Sequence, residues 1–87
     1  PAYYNIHISN STPALSCGNP SIPSTYPLSV YVVYLPIHIG DIVYNDASLT
    51  TVFNGDGTYY WSSIAIAYQI DINGVVTNII DCLIEAV

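Results

Sequence analysis

A strict alternation of apolar residues runs through residues 64–72 and leads directly into a turn sequence. The apolar positions of one face are Ile64, Ile66, Tyr68, Ile70 and Ile72. A spacing of two is the periodicity of a β-strand. The Asn73-Gly74 pair that follows is typical of a type I′ hairpin turn, which needs a positive φ at both residues. The pattern therefore predicts a strand over 64–72, a tight turn, and a strand that returns antiparallel over 75–80.

The rest of the chain repeats these features over shorter lengths. Val, Ile, Thr and Tyr dominate, helical periodicity is weak, and short apolar runs end at Gly, Pro, Asn or Asp. The further predicted strands cover 2–9, 28–35, 41–44, 49–53, 58–61 and 81–87. The strand over 28–35 is apolar on both faces, which predicts a central or covered position. We therefore predict an all-β fold of about seven short strands, a single small antiparallel β-sandwich or partly closed barrel with an extended N-terminal strand.

The 87 residues are predicted to form one domain with three parts. These are an N-terminal strand over 1–10, a linker over 11–27 rich in Pro and Ser, and a β body over 28–87. A domain of this size buries only about 60 to 65% of its unfolded surface, so it needs a covalent staple or neighbouring subunits. Cys17 and Cys82 would close a loop of about 65 residues in an oxidising compartment, which contributes about 4 kcal/mol in the chain-entropy model. Two free buried thiols are the alternative, and pairing within one chain or between chains is left open.

The charge balance excludes several classes of partner. The chain has no Lys and no Arg, and its six acids give a formal net charge of −6. Binding to nucleic acid through phosphate neutralisation is therefore excluded, and so is attraction to an anionic membrane surface. We also expect no membrane insertion, because polar residues and Pro interrupt the long uncharged stretch before Asp41 too often for a spanning helix. An initiator Met is readily trimmed before a residue such as Pro1, so a product made in the cytoplasm, such as a virion protein, is expected.

Residues 40–82 carry a set of turn and packing motifs. The run Gly40 to Thr51 reads GDIVYNDASLTT, and it is followed by FNGDGTYY over 53–60, YQI over 68–70, GVVT over 74–77 and then Cys82. This half of the chain resembles a small β-rich, Cys-bounded module of Bacteroidetes surface proteins and their phages, in which an upstream Cys like Cys17 is frequent. The resemblance implies an extracellular or virion-surface location and a structural role without catalytic activity.

Candidate chemical groups are few. His7 and His38 are the available bases, and neither lies in a nucleophile motif, so we predict that the chain is not an enzyme and needs no cofactor. The oxygen-rich turn residues Asp46, Asn54 and Asp56 form a weak Ca²⁺ candidate; their alternative role is to shape turns, which we favour. The aromatic run Tyr59, Tyr60 and Trp61 could stack against a cell-surface glycan, but core and cross-strand packing is the favoured interpretation.

The N-terminal strand is the strongest functional candidate. Exposed sheet edges are commonly guarded by Lys, inward charge or Pro, and the strand over 2–9 has none of these. Docked on another copy, its apolar face would place Tyr4, Ile6 and Ile8 at a subunit interface. We therefore expect a self-assembling homopolymer that forms an extracellular fibre or appendage by β-strand addition. The alternatives are a phage decoration or spike protein that forms a closed homo-oligomer, and a carbohydrate-binding module.

Overall fold

The computed structural model describes residues 3–10, 25–64 and 66–81, and these residues form an all-β structure without a helix. The strands are β1 (Tyr4–Asn10), β2 (Leu28–Val32), β3 (Thr58–Ser62), β4 (Ile66–Ile70) and β5 (Val76–Asp81). All neighbouring strands are antiparallel and belong to one sheet. The predicted all-β antiparallel fold is confirmed, as a single sheet that does not close into a barrel. Among the described residues there is no helix long and apolar enough to cross a membrane.

The order of strands across the sheet is β2-β1-β3-β4-β5. The last three strands form a meander, in which each strand pairs with the next strand in sequence. β1 does not follow that rule, because it lies between β2 and β3 and pairs with both. The first strand in sequence therefore occupies an interior position.

The turn between β4 and β5 differs from the predicted type I′ turn. Gly74 has a φ of 78°, whereas Asn73 is not among the residues with positive φ. The Asp71 carboxylate accepts hydrogen bonds from the backbone N–H of Asn73 (2.8 Å) and of Val75 (2.9 Å), and Gly74 N–H donates to Asp71 O. This arrangement is a type I turn followed by a left-handed Gly, a common alternative for hairpins. The prediction of a hairpin was right, and the turn type was wrong because the Asp71 side chain stabilises a different backbone.

The predicted strands over 41–44 and 49–53 are present as isolated bridges. Tyr44 pairs with Tyr31 and with Val52, while Ile42 pairs with Val75. The residues 40–44, which we call the bridging segment, thus bond to β2 at one end and to the start of β5 at the other. The segment alternates between two neighbours, and for this reason no continuous ladder forms along it.

Apolar side chains are buried on both faces of the sheet. One face carries the larger core cluster, formed by Ile8, Val30, Val32, Ile37, Val43, Tyr60, Tyr68, Ile70 and Val76. The other face buries Trp61 and Ala67, with Tyr26, Tyr59 and Ile80 packed against them. Successive residues of a strand point to opposite faces, so β3 and β4 each contribute to both clusters.

Candidate functional site

The position that β1 occupies, which we call the β1 slot, is built by β2 on one side and β3 on the other. β1 pairs with β2 from Tyr4↔Val32 to Ile8↔Leu28, and with β3 from Ile8↔Ser62 to Asn10↔Tyr60. On the exposed face, the side chains of Asn5 and Ser29 exchange hydrogen bonds of 2.9 and 3.1 Å. β1 is therefore held by two ladders and by a cross-strand side-chain pair.

The three residues that the sequence predicts at a subunit interface have different environments. Ile8 is 0% exposed and belongs to the large core cluster, and Ile6 packs against that cluster. Tyr4 is 48% exposed. β1 pairs with β2 and β3 of its own chain, so it belongs to the same sheet as the β body predicted over 28–87. The alternation that suits a docking strand suits an interior strand of the same sheet equally well.

β2 depends on β1 for its attachment to the meander. Apart from β1, the described neighbour of β2 is the bridging segment, through the reciprocal backbone bonds of Tyr31 and Tyr44 (2.9 and 2.8 Å). The strand predicted over 28–35 in a central or covered position ends at Val32 and is the last strand of the sheet on its side. Its outer edge is paired with the bridging segment at Tyr31, and its buried side chains are Val30 and Val32.

The far edge of the sheet is β5. Its first residue, Val76, bonds to Gly40 and Asp41 of the bridging segment. Among the described residues, no backbone bond other than those to β4 is made between Thr77 and Ile80. Across the five strands Asp81 is the single residue with a charge at neutral pH. Neither edge is guarded by a cationic side chain, which is the device that soluble sheets commonly use.

The three aromatic residues of the predicted sugar platform do not form one exposed surface. Trp61 is 0% exposed and Tyr60 is 5% exposed, and they belong to different core clusters. The Tyr60 hydroxyl donates to Gly55 O at 3.0 Å, while the Tyr59 hydroxyl accepts from Asn78 Nδ2. The burial of Tyr60 and Trp61 in two separate clusters agrees with the favoured core interpretation of this aromatic run.

The weak Ca²⁺ candidate is dispersed into separate turns. The Asp46 carboxylate accepts hydrogen bonds from the hydroxyls of Ser48 and Thr50 and from the backbone N–H of Thr50 and Thr51. Asn54 Oδ1 accepts from the N–H of Asp56 two residues on. Within the described ranges, no group of three acidic, His or Cys side chains could hold a metal. These oxygens shape the backbone, as the alternative interpretation proposed.

In the part of the chain that the structure describes, two ionisable groups have a shifted pKa. The hydroxyls of Ser48 and Thr50, with the N–H of Thr51, lower the pKa of Asp46 below its usual value because they stabilise the ionised carboxylate. Burial raises the pKa of Tyr68, against a hydrogen bond from Ser62, and the negative charge of Asp81 adds to the increase. Cys17 and Cys82 lie outside the described residues, so the disulfide stays a prediction.

The sequence reasoning did not predict a concave site beside β2. A pocket of about 210 Å³ opens between the end of β2 and the bridging segment, and its lining includes Tyr34, Asp41 and Tyr44. The signal in the sequence was weak, because Tyr34 was assigned to a continuous strand. The structure ends that strand at Val32 and leaves Tyr34 70% exposed.

Comparison with family models, with curated proteins and with solved structures finds no match to this chain. The resemblance of residues 40–82 to a bacterial and phage surface module therefore stays a prediction.

Proposed function

We propose that this chain is a non-enzymatic structural subunit that assembles with copies of itself by exchanging its N-terminal strand. The observation that carries the proposal is the interior position of β1, the first strand in sequence, between β2 and β3. β1 is joined to the other described strands through a single connection, residues 11–27, so it can leave its slot and enter that of another copy. The β1 slot can therefore be filled by β1 of a neighbouring copy through the same register.

The contacts that β1 makes do not depend on which copy supplies it. The pairs with β2 and β3, and the burial of Ile8, involve residues 4–10 on one side and residues of the body on the other. Exchange of an identical element between copies conserves all of these contacts, so it is a low-cost route to association. β1 can occupy the slot of its own chain or that of a neighbouring copy. The balance between these two arrangements is set by their difference in linker strain and by the subunit concentration.

The length of the connection is compatible with exchange. Residues 11–27 link β1 to β2, and seventeen residues reach roughly 60 Å when extended. The longest dimension of the molecule is 38 Å. A neighbouring copy therefore lies within reach of the linker.

The geometry of exchange decides the form of the assembly. If each copy passes its β1 to the next one, the contact is heterologous and repeats into a filament; reciprocal exchange closes into a dimer. We favour the open fibre, located outside the cell or on a virion, because no edge strand carries a cation that opposes further pairing. The mass of the native particles distinguishes these forms, since a defined small mass supports the closed alternative.

A cross-linking experiment tests the exchange directly. His7 and Ser29 are opposite each other in the β1–β2 ladder, and both are exposed. Opposite residues of an antiparallel pair lie at a separation that a disulfide can span. A His7→Cys/Ser29→Cys variant is prepared as a mixture of ¹⁵N-labelled and unlabelled chains, unfolded together, refolded and oxidised. Mass spectrometry after chymotrypsin digestion identifies the 7–29 link, and exchange predicts links between labelled and unlabelled peptides.

A truncated chain provides the second test. Deletion of residues 1–10 removes Ile8 from the core and detaches β2 from β3, so we expect a less stable chain that binds a synthetic peptide of residues 1–10. The matched control is the same peptide with Ile6→Asp and Ile8→Asp, which we expect not to bind. If every 7–29 link joins peptides of one label, and the truncated chain ignores the peptide, the exchange model is wrong.

A further inference from the structure

The pocket between β2 and the bridging segment brings together two tyrosines and one carboxylate. Its lining consists of Val32, Val33, Tyr34, Gly40, Asp41, Ile42 and Tyr44. These residues come from two separate stretches of sequence, which the Tyr31–Tyr44 bridge holds side by side. None of the lining residues lies in β1, although Val32 pairs with Tyr4 of that strand. The site therefore goes beyond the proposed assembly, and it does not depend on which copy supplies β1.

The carboxylate of this pocket is held in place before any ligand arrives. Asp41 Oδ2 accepts a hydrogen bond from His38 N–H at 2.9 Å. The Asp41 backbone donates to His38 O (3.0 Å) and accepts from Val76 N–H (2.9 Å). Its side chain stays 32% exposed, and Oδ1 has no hydrogen-bond partner among the described residues. A fixed acceptor with an open oxygen loses little conformational entropy on binding.

The two aromatic walls differ in exposure. The backbone of Tyr44 is fixed by its reciprocal bonds with Tyr31, and its side chain is half-buried. Tyr34 is 70% exposed, so its ring is available for contact. The face of a Tyr ring attracts a cation that lies within about 6 Å of the ring centre.

We propose that this pocket binds an organic ammonium group, with Asp41 as the counter-charge and Tyr34 and Tyr44 as aromatic walls. The chain has no Lys or Arg and a net charge of −6, so its field attracts cations and repels anions. The valines and Ile42 favour a methylated ammonium over a primary one, because N–H donors facing them would lack acceptors. The volume is below the ~300 Å³ of pockets for drug-sized ligands, which suits a single trimethylammonium headgroup.

The test uses choline and a neutral molecule of the same shape. ¹⁵N-labelled full-length chain is titrated with choline and with 3,3-dimethyl-1-butanol, in which a carbon replaces the charged nitrogen. We expect saturable amide shifts centred on Gly40, Asp41, Ile42 and Tyr44, with the neutral molecule bound about tenfold more weakly. Phosphocholine, the lipid headgroup form, is expected to bind more weakly than choline, since its phosphate meets the acidic surface.

Three variants of pocket residues and one control variant test whether choline binds at the named residues. Tyr34→Ala is expected to weaken choline binding about fivefold or more, and Tyr34→Phe to retain it. Asp41→Asn keeps an oxygen for His38 N–H but removes the charge, and it is expected to weaken choline binding about tenfold. Ile72→Ala removes an exposed side chain that does not line the pocket, and it is expected to leave binding unchanged.

The outcomes that overturn the proposal are specific. Equal binding of choline and its neutral isostere would show that charge has no role, and unchanged binding in Asp41→Asn would agree with that. Amide shifts produced by methyl glucoside but not by choline would make the pocket a sugar site instead. The absence of any saturable shift with choline, in a chain that melts like wild type, would end the proposal.

Discussion

The β3–β4–β5 meander and the β1–β2 pair are both antiparallel, but they are held by interactions of different range. In the meander, Gly55 N–H bonds to Asp71 O and Gly57 N–H bonds to Ile70 O, so a segment of fewer than twenty residues closes on itself. β1 instead pairs with β2 about twenty-four residues away and with β3 fifty or more residues away. Long-range pairing must overcome a larger loop-closure entropy. The comparison indicates that the meander is a local unit, whereas the β1–β2 half depends on the whole chain.

The largest expected effect comes from shortening one buried isoleucine in each half. Ile8 of β1 and Ile70 of β4 are 0% and 1% exposed, so Ile8→Ala and Ile70→Ala should each cost about 3 to 4 kcal/mol in the free energy of unfolding. Amide hydrogen exchange distinguishes the effects of the two variants. Ile8→Ala should accelerate exchange in β1 and β2 while β3, β4 and β5 stay protected, whereas Ile70→Ala should accelerate exchange everywhere. Uniform acceleration by both variants would show that the two halves unfold as one unit.

The second prediction concerns the close approach that locks the meander. A Cβ added at Gly55 would lie 2.3 Å from Ile70 O and 2.5 Å from Ile70 Cβ. We therefore expect Gly55→Ala to cost about 2 to 3 kcal/mol, because β4 backbone must move. Gly57→Ala is the matched control, since its Cβ meets nothing within 4 Å and its φ is +73°; it should cost about 1 kcal/mol. Chemical denaturation measures both values, and an equal cost would show that steric contact with β4 is unimportant.

The third prediction tests the turn that reverses the chain between β4 and β5. Asp71→Ala removes the acceptor for the N–H groups of Asn73 and Val75, which should cost about 1 to 2 kcal/mol. Asp71→Asn retains the Oδ1 acceptor and should cost less. Thermal melting of the two variants provides the measurement, and similar losses would assign the effect to charge and not to the turn geometry.

The smallest expected effect lies in the loop outside both halves, around Asp46. Hydrogen bonds from Ser48 and Thr50 lower the pKa of Asp46 in the folded chain from its ordinary 3.8. A lowered folded-state pKa contributes stability above the unfolded pKa, and this contribution is lost as the pH falls through the folded value. The difference in melting temperature between wild type and Asp46→Asn should therefore be constant near neutral pH and shrink below about pH 4. A difference that does not change on acidification would contradict this role.

Sequence reasoning performed well within the meander and poorly beyond it. The strands over 58–61 and 64–72 are present as β3 and β4, although the alternation at Ile64 and Ile72 continues past the strand ends, where both residues are more than half exposed. The Asn73-Gly74 turn is present, but the Asp71 carboxylate changes its type. Local signals identify where the chain reverses, and side-chain hydrogen bonds then select among the turn conformations.

The candidate site was less predictable than the fold. The alternation of β1 identified Ile6 and Ile8 as an apolar face that must be covered, and it could not identify which part of the protein covers it. The Tyr59–Trp61 run was readable as a platform or as core, because adjacent aromatics on a strand face opposite directions and the sequence does not show which faces are covered. The pocket of Tyr34, Asp41 and Tyr44 depends on a bridge between distant residues.

The amino-acid sequence by itself determined the all-β character, the hairpins of the second half and the absence of any cationic side chain, because these follow from composition and from contacts between near neighbours. Only the tertiary structure decided that β1 lies inside its own sheet, that Trp61 is buried, and that a carboxylate meets two tyrosines beside β2. Strand order and burial depend on pairing between residues far apart in the chain, and an alternating strand has the same pattern whichever neighbour it joins.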